Sequence, residues 1–205
     1  MGMYRKVFKR IIDLVVAIVS LIVFSPIFVF ACVAIKLDSH GSIFFQQSRV
    51  GRGKREFKVL KFRTMVIDAP NEEPTGMLKN PNEYITRVGK VLRKTSFDEL
   101  PQLINIIVGD MSVVGPRPVI PKEYELIAKR DEHGVYDVRP GLTGWAQING
   151  RDEVTVESKV RYDSEYANNV SFWFDVRCIL KTIPLVLRAV GISEGERVDQ
   201  VEEKI

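Results

Sequence analysis

The chain is poor in the residues that most often carry metal binding and histidine chemistry. Its 205 residues include only two cysteines and two histidines. Cys32 and Cys178 stand in apolar stretches, so they offer neither a disulfide framework nor a metal-ligand spacing, and we expect both to be buried as small hydrophobic side chains. His40 and His133 have no ligand spacing, so neither a zinc site nor a histidine-based triad is expected.

Common nucleotide-binding and protease signatures are also absent from the sequence. It contains no Walker-type phosphate loop, no GxGxxG turn, no HExxH helix and no internal repeat. These absences argue against P-loop, dinucleotide-binding and zinc-protease classes. The length suits one compact domain together with a membrane segment.

One long apolar run extends from Ile11 to Ile35, with Ser25-Pro26 just past its middle. The run exceeds the roughly 20 residues that cross a bilayer. Pro26, however, should kink a helix. Lysines and arginines, which stay on the cytoplasmic side of a membrane, flank both ends of the run. These features predict a re-entrant helical hairpin in which the Ser25 hydroxyl bonds to a carbonyl freed by the proline. A single membrane crossing is the alternative, and the physics of the sequence leaves both open.

Charge is distributed unevenly along the chain. Residues 1–63 carry twelve Lys and Arg against three Asp and Glu, whereas the remainder carries eighteen against twenty-three. A basic front half around an apolar hairpin suits an anionic lipid surface. Nucleic acid would match the charge, but the hairpin makes it the poorer partner, and we expect no nucleic-acid binding.

Two strands are predicted, at 42–47 and 56–64, joined by a basic, glycine-rich loop into a β-hairpin. Period-two alternation puts Lys61 and Arg63 on one face of the second strand, so the two cations project together. They either face a substrate or form a charged, solvated sheet edge that discourages aggregation.

The rest of the chain is predicted to be mostly helical, which gives an α+β fold. Periodicity, proline and glycine place helices near 84–94, 100–107, 121–130, 154–168 and 171–190, with surface loops at 66–82 and 138–151. The last helix carries Arg177, Lys181 and Arg188 on one face. It is either an amphipathic helix in the membrane interface or a core helix with a solvated basic stripe.

The adjacent carboxylates Asp98 and Glu99 are the leading candidates for chemistry. They stand at a predicted helix start beside Arg93 and Lys94, where the helix dipole favours the ionised form. An ionised carboxylate can attack phosphorus, accept a proton or hold Mg²⁺. The structural alternative is a capping box from Ser96 to Glu99, or Asp98 itself as the N-cap.

Several cations stand in stiff or glycine-rich settings. Arg117 lies between two prolines, and Arg139 and Arg151 lie in a glycine-rich segment. With Lys61 and Arg63 they suit phosphate oxygens, which arginine binds in bidentate fashion, although arginine also pairs with carboxylates. Five such residues indicate a small polyanionic substrate.

These segments together resemble a known family. The motifs KFRTM at 61–65, TSFDELPQLINIIVGDMSVVGPRP at 95–118 and VRPGLTGWAQINGR at 138–151, with the Ser25-Pro26 hairpin before them, are similar to those of bacterial sugar transferases. The chain looks most like the small monotopic phosphoglycosyl transferases, which start glycan assembly on a lipid carrier. The likeness covers nearly the whole chain and its motifs are long, so it is highly specific.

The resemblance implies a reaction and a set of site residues. Asp98 would attack the β-phosphate of a UDP-sugar and release UMP, Glu99 would serve in acid–base or positioning work, and Mg²⁺ would sit against Asp98. Arg117 would contact phosphate, and the loop at 144–151 would contribute to nucleotide binding. Further polar positions around the same site match Lys61, Arg63 and Arg93.

The resemblance also implies an acceptor and a location. A polyprenol phosphate, undecaprenyl phosphate in most bacteria, would attack the phosphosugar–Asp98 ester, which predicts ping-pong kinetics. The family's re-entrant helix favours the hairpin over the crossing and implies the cytoplasmic face of the bacterial inner membrane, with anionic phospholipids and downstream glycosyltransferases as further partners. We accordingly divide the chain into a membrane hairpin at 1–37, a cytosolic catalytic domain with interfacial helices at 38–193 and a polar tail at 194–205.

A different class of protein remains as the competing hypothesis. In it the chain is a membrane-anchored scaffold, Asp98-Glu99 only caps a helix, and the arginines bind lipid headgroups. The sequence names neither the sugar nor the glycan pathway.

Overall fold

The structure, a computed structural model, describes residues 3–69, 83–150 and 155–187. Within these ranges the fold is α+β and mostly helical, as predicted. A π-helical turn, Tyr4–Phe8, leads into the first α-helix. The elements in chain order are α1 (Lys9–Val23), α2 (Ser25–Asp38), β1 (Phe44–Val50), β2 (Glu56–Phe62), α3 (Arg87–Lys94), α4 (Gln102–Val108), β3 (Ser112–Val114), α5 (Tyr124–Glu132), β4 (Gly141–Thr143), α6 (Trp145–Ile148), α7 (Val156–Asn168) and α8 (Phe172–Leu187). The predictions for Arg151, Arg188, most of the loop at 66–82 and the tail fall outside the described ranges.

The apolar run folds as two helices with a sharp bend between them. The segment Tyr4–Val23 meets α2 at an angle of 62°, and the break falls at Phe24, next to the predicted Ser25-Pro26. The Ser25 hydroxyl donates to the Ile22 carbonyl at 2.8 Å, which is the group that an N–H at position 26 would have bonded. In the described part of the chain no single helix is long and apolar enough to cross a membrane, and only this bent pair passes by length and composition.

Each helix of the pair buries one face against the rest of the fold. On α1, Ala17 is fully buried in a core cluster with Val59, Ile106 and Met111. On α2, Ile35 is buried in a second cluster beside α3. The outer faces remain apolar and exposed, through Val15, Ile18, Val19, Ile22, Val29, Phe30, Val33 and Leu37.

A buried polar network fastens α1 to the two last helices. The Lys9 ammonium lies 2.6 Å from Asp175 Oδ2 on α8, and the Tyr4 hydroxyl donates to the same oxygen at 2.6 Å. The other oxygen of that carboxylate lies 2.7 Å from the Tyr166 hydroxyl on α7. Because Lys9 and Asp175 are both buried, removing either would leave an uncompensated charge, which is costly.

A second buried carboxylate, Asp13, joins α1 to β3. Its Oδ1 accepts hydrogen bonds from the Ser112 hydroxyl and from the Val113 N–H, each at 3.0 Å. These bonds explain the one acidic residue within the apolar run, since a buried carboxylate must be hydrogen-bonded. They also hold β3, which runs directly into the segment that carries Arg117.

The predicted β-hairpin is present, but its first strand runs from Phe44 to Val50 instead of 42–47, and its second ends at Phe62 instead of residue 64. β1 and β2 pair antiparallel, with Phe44 opposite Phe62 and Val50 opposite Glu56. The extension beyond residue 47 has a physical cause, because Val50 is buried and its N–H donates to the Val119 carbonyl at 2.9 Å. Residues 48–50 therefore belong to a strand and not to the loop.

A parallel pair of strands, β3 and β4, lies in the part of the chain predicted to be irregular, with Ser112 opposite Gly141. A Cβ on Gly141 would lie 2.1 Å from the Gly115 nitrogen, and one on Gly144 would lie 2.1 Å from the Gly115 oxygen. The glycines at 115, 141 and 144 thus allow two backbones to approach closely.

The last helix, α8, places its cations as predicted where they are described. The Arg177 guanidinium and the Lys181 ammonium both lie over the Trp145 ring, 4.8 and 5.2 Å from its centroid. Cys178 is fully buried, as predicted, whereas Cys32 on α2 is only partly buried. The exposed apolar side chains of α8 are Phe172, Trp173, Leu180 and Ile183.

Candidate active site

The two candidate carboxylates lie on a 3₁₀ turn, Phe97–Glu99, between α3 and α4. Ser96, just before the turn, has a left-handed backbone with φ of 57°, which is unfavourable for a residue other than glycine. Neither predicted cap forms, because Ser96 makes no side-chain capping bond and α4 begins after Pro101 without one. The capping interpretation is therefore wrong.

Glu99 lies between two cations that come from distant parts of the chain. Its Oε1 accepts a hydrogen bond from Lys61 Nζ at 2.7 Å and lies 3.9 Å from Arg117 NH1. Lys61 belongs to β2, and Arg117 belongs to the proline-flanked segment after β3. The fold thus brings together three of the residues that the sequence predicts for one site.

Asp98 is a poorly solvated carboxylate in a field of mixed charge. Burial raises its pKa to about 6, the positive charges of Lys61 and Arg93 act in the opposite direction, and the neighbouring Glu99 adds to the rise. Such a group is largely ionised at neutral pH although it is only partly exposed to water. This combination is typical of carboxylates that act as nucleophiles or bases.

A side-chain bridge between α4 and β2 aims Lys61 at the turn. The buried Asn105 accepts the N–H of Leu60 at 2.9 Å and donates to the carbonyl of Lys58 at 2.8 Å. It therefore takes the place of a neighbouring strand along the open edge of β2. Because α4 follows the turn directly, this bridge fixes the distance between Lys61 and Glu99.

Arg93 also belongs to this site. Its charge acts on Asp98, and its Nε donates to the Thr64 hydroxyl at 2.9 Å. Arg93 occupies the last turn of α3, and its bond to Thr64 ties it to the segment that follows β2.

Two other predicted cations have their contacts at helix ends instead. Arg63 donates to the carbonyls of Ser39 and His40 at the C-terminus of α2. Arg139 donates from Nε to the Gly109 carbonyl, at the C-terminus of α4, at 2.8 Å. Both satisfy carbonyls that a helix leaves unpaired. The structure therefore gives these two arginines structural contacts and does not bring them to the carboxylates.

Two residues that the sequence analysis did not single out line the same cavity. Arg49 and Gln102 border a small cavity that is open to solvent, together with Lys61, Glu99 and Arg117. Burial, and next the charge of Arg117, lower the pKa of Arg49 to about 10. The alternation of β1 would have indicated Arg49 if the strand had been extended to Val50 in the sequence analysis.

Phosphate transfer through a carboxylate needs a poorly solvated nucleophile and cations that offset the charge of the substrate. The turn at 97–99 and its neighbours combine a carboxylate of raised pKa with several cations, an arrangement that suits the transfer of a phosphate-containing group. The family model for bacterial sugar transferases matches residues 4–189, and the chain belongs to that family. The family and the transferase class predicted from the sequence motifs are thereby confirmed.

Individual relatives show how far the similarity extends. "Exopolysaccharide production protein ExoY" of Rhizobium meliloti (strain 1021) is 41% identical over 203 residues, which is 91% of this chain and 87% of the relative. "Uncharacterized sugar transferase EpsL" of Bacillus subtilis (strain 168) is 37% identical over 192 residues, 94% of this chain and 93% of the relative. "UDP-glucose:undecaprenyl-phosphate glucose-1-phosphate transferase" of Escherichia coli (strain K12) is 39% identical over 186 residues, 87% of this chain but only 40% of the relative.

Proposed function

We propose that this chain transfers a sugar 1-phosphate from a UDP-sugar to a polyprenol phosphate, undecaprenyl phosphate in most bacteria, and releases UMP. One observation carries the proposal: Asp98, with its pKa raised to about 6, lies where cations from β2 and α3 act on it. The name of the relative from Escherichia coli, which specifies this reaction with UDP-glucose, supports the reaction type. The sugar handled by this chain stays open.

The reaction proceeds in two displacements at one phosphorus atom. First, a carboxylate oxygen of Asp98 bonds to the β-phosphorus of the UDP-sugar while the bond from that phosphorus to the UMP oxygen breaks, and UMP leaves with the electron pair. Next, an oxygen of the carrier phosphate bonds to the same phosphorus, and the Asp98 oxygen leaves as a carboxylate. No net proton transfer is required, and the two substrates use one site in turn, which gives ping-pong kinetics.

The cations of the site offset the repulsion between a carboxylate and a diphosphate. Glu99 holds Lys61 at 2.7 Å and has Arg117 nearby at 3.9 Å, so both cations already lie at the site before the substrate arrives. Their remaining N–H donors can bind oxygens of the transferred or the leaving phosphate. Glu99 positions these two cations. The charge of Arg93 acts on Asp98 and helps to keep its carboxylate ionised.

Mg²⁺ fits this site as a cofactor. The described residues contain no group of three or more His, Cys, Asp or Glu side chains that would form a protein-only metal site. Mg²⁺, however, is usually held by one or two carboxylates together with substrate phosphates and water. Asp98 would hold it here, beside Glu99, and the bound ion would neutralise charge on the phosphate oxygens.

We further propose that the bent helix pair enters the membrane from its cytoplasmic face and returns to the same side. The apolar outer faces of α1 and α2, the bend of 62° and the basic residues at both ends support this placement. The exposed apolar side of α8, next to Arg177 and Lys181, would lie in the interface among anionic phospholipids. The carboxylates would then face the headgroup layer, where the phosphate of the carrier lies.

Replacement of the proposed nucleophile tests the function. In Asp98→Asn, UMP release from UDP-sugars in the presence of polyprenol phosphate should fall to background. The fold should survive, because burial disfavours the charged form of Asp98 and the amide removes that charge. The matched control is Asp131→Asn, which removes an exposed carboxylate paired with Lys54 and should keep full activity. Wild-type turnover in Asp98→Asn would refute the nucleophile assignment.

A labelling experiment tests the covalent intermediate and distinguishes an enzyme from the competing hypothesis of a membrane-anchored scaffold. With UDP-sugar radiolabelled at the β-phosphate and no acceptor, the wild-type chain should become labelled, and added polyprenol phosphate should remove the label. A panel of UDP-sugars scored in this way would also identify the donor. Binding to anionic vesicles without UMP release from any UDP-sugar would favour a scaffold instead.

A further inference from the structure

The backbone that carries Arg117 is fixed by more than its two prolines. All four carbonyls of the segment 116–119 accept hydrogen bonds, and the outer two accept from the backbone N–H groups of Gly141 and Val50, each at 2.9 Å. The inner two carbonyls, on Arg117 and Pro118, accept instead from arginine side chains. A backbone without strand partners at these two residues is thus held by guanidinium groups.

The first of these guanidinium groups belongs to Arg130 on α5. Its NH1 donates to the Arg117 carbonyl at 2.9 Å, and its NH2 pairs with Asp163 on α7 at 2.5 Å. Both side chains of this pair are almost fully inaccessible to water, at 3% and 1% exposure. The pair therefore cannot move without leaving a buried charge uncompensated, so it is a rigid support for the carbonyl.

The second guanidinium group belongs to Arg49 on β1. Its NH1 donates to the Pro118 carbonyl at 3.2 Å, and its NH2 donates to the Gln47 side chain at 2.6 Å. Arg49 also lines the cavity that holds Glu99 and Arg117. Two guanidinium groups in one cavity repel each other, and the contacts of Arg49 with Pro118 and Gln47 keep it there.

We propose that Arg49 and Arg130 are positioning residues that aim Arg117 at the carboxylates of the active site. The inference rests on the proposed function, in which Arg117 binds phosphate. The Arg117 side chain is about half exposed, and its NH1 lies 3.9 Å from Glu99, so the side chain itself is not rigidly packed. Its position is set by the backbone, and a displacement of about 1 Å in a catalytic group costs roughly 10²-fold in rate.

Two variants test the support from each side, and a third provides a matched control. Arg49→Gln removes one guanidinium group, and Arg130→Gln combined with Asp163→Asn removes the other while leaving no buried charge. Each should lower kcat for UMP release by about 10- to 100-fold, with a smaller change in the KM for UDP-sugar. Lys54→Gln combined with Asp131→Asn removes an exposed ion pair of 2.6 Å between the β1–β2 loop and α5, the helix that carries Arg130, and should leave kcat unchanged.

Combination with Arg117→Ala separates positioning from a general loss of structure. If Arg49 and Arg130 act through Arg117, their substitutions should cost little further rate once Arg117 is alanine. Full additivity of the losses, or full activity of Arg49→Gln, would overturn the inference. Arg49→Lys, which keeps a donor for the carbonyl, should recover part of the rate.

The inference can also be tested if the double variant does not fold or if the wild-type chain releases no UMP. If the double variant at Arg130 and Asp163 does not fold, Arg49→Gln alone decides, since Arg49 has no buried ionic partner among its hydrogen bonds. Hydrogen exchange at the amides of Val50 and Gly141, which bond to the outer carbonyls of the segment 116–119, should rise in Arg49→Gln and stay unchanged in the control. Absence of UMP release from the wild-type chain would instead overturn the proposed function. The exchange measurement would still test the support of the Arg117 backbone, because it needs no enzymatic activity.

Discussion

At the scale of the residue, the solvation of Asp98 determines which chemistry this site can support. A solvated aspartate is a stable anion with little reason to attack phosphorus, whereas burial here raises the pKa to about 6. Lys61 and Arg93 prevent a larger rise and keep the group ionised near neutrality. The balance between burial and these two charges therefore sets the pH range in which the proposed nucleophile is ionised.

We expect the first half-reaction to increase with pH through about 6, because only the ionised form of Asp98 attacks. Below this value the rate should fall about tenfold for each pH unit. The measurement is the burst of UMP from enzyme and UDP-sugar without carrier, between pH 5 and 8. Mg²⁺ bound at Asp98 should move the midpoint to lower pH, since a cation favours the charged form.

Lys61→Met provides the control for this pH profile. The charge of Lys61 lowers the pKa of Asp98, so its removal should move the midpoint of the burst to higher pH. An identical midpoint in wild type and Lys61→Met would contradict the assignment of the titration to Asp98.

Sequence reasoning found some of these residues and not others, for a physical reason. Asp98, Glu99 and Arg117 stand out because neighbouring carboxylates and a proline-flanked arginine are recognisable without a fold. Arg63 and Arg139 looked equally suited to phosphate, but an arginine binds a helix carbonyl as readily as an anion, and only the fold shows which is near. The role of Arg151, which lies outside the described residues, stays a prediction.

At the scale of the elements, the contact between α4 and the β-hairpin positions the residues of the site. α4 buries Leu103 and Ile106 in the core and presents Asn105 to the edge of β2. A helix thus supplies, through one amide side chain, the hydrogen bonds that a third strand would make. Together with the packing of Val59 against α4, that residue relates the site turn to Lys61.

Asn105→Ala should therefore lower both stability and activity. The N–H of Leu60 and the carbonyl of Lys58 would lose their partners, which should reduce the free energy of unfolding by about 1–3 kcal/mol. Urea unfolding and UMP release measure the two effects. The control is Asn169→Ala, which removes an exposed bond to the Glu165 carbonyl and should change neither. An unchanged urea midpoint in Asn105→Ala would contradict the bridge.

The elements themselves were predicted unevenly. Long helices such as α7 and α8 follow from periodicity, and the break before Pro26 follows from the chemistry of proline. The β3–β4 pair could not be predicted, because strands of three residues carry too little pattern and their pairing depends on glycines distant in sequence. The end of β1 was missed because a contact with Val119, and not local preference, sets it.

At the scale of the whole molecule, the bent helix pair predicts where the two ends of the chain lie relative to a membrane. The re-entrant hairpin predicts that position 2 stays on the cytoplasmic side. In a background without Cys32 and Cys178, a cysteine at Gly2 should react with an impermeant maleimide only after cells are opened. A cysteine at Lys204 serves as the cytosolic control. Labelling of position 2 from the periplasm would establish a single crossing instead.

The contacts of α1 restrict how this chain can be engineered. Lys9 neutralises Asp175, Asp13 holds β3, and Ala17 completes the core. A version designed for solubility by deleting the first helix would therefore lose core packing together with the proposed membrane hairpin. Replacing only the exposed apolar side chains, such as Val19 and Phe30, with polar residues would keep these buried contacts.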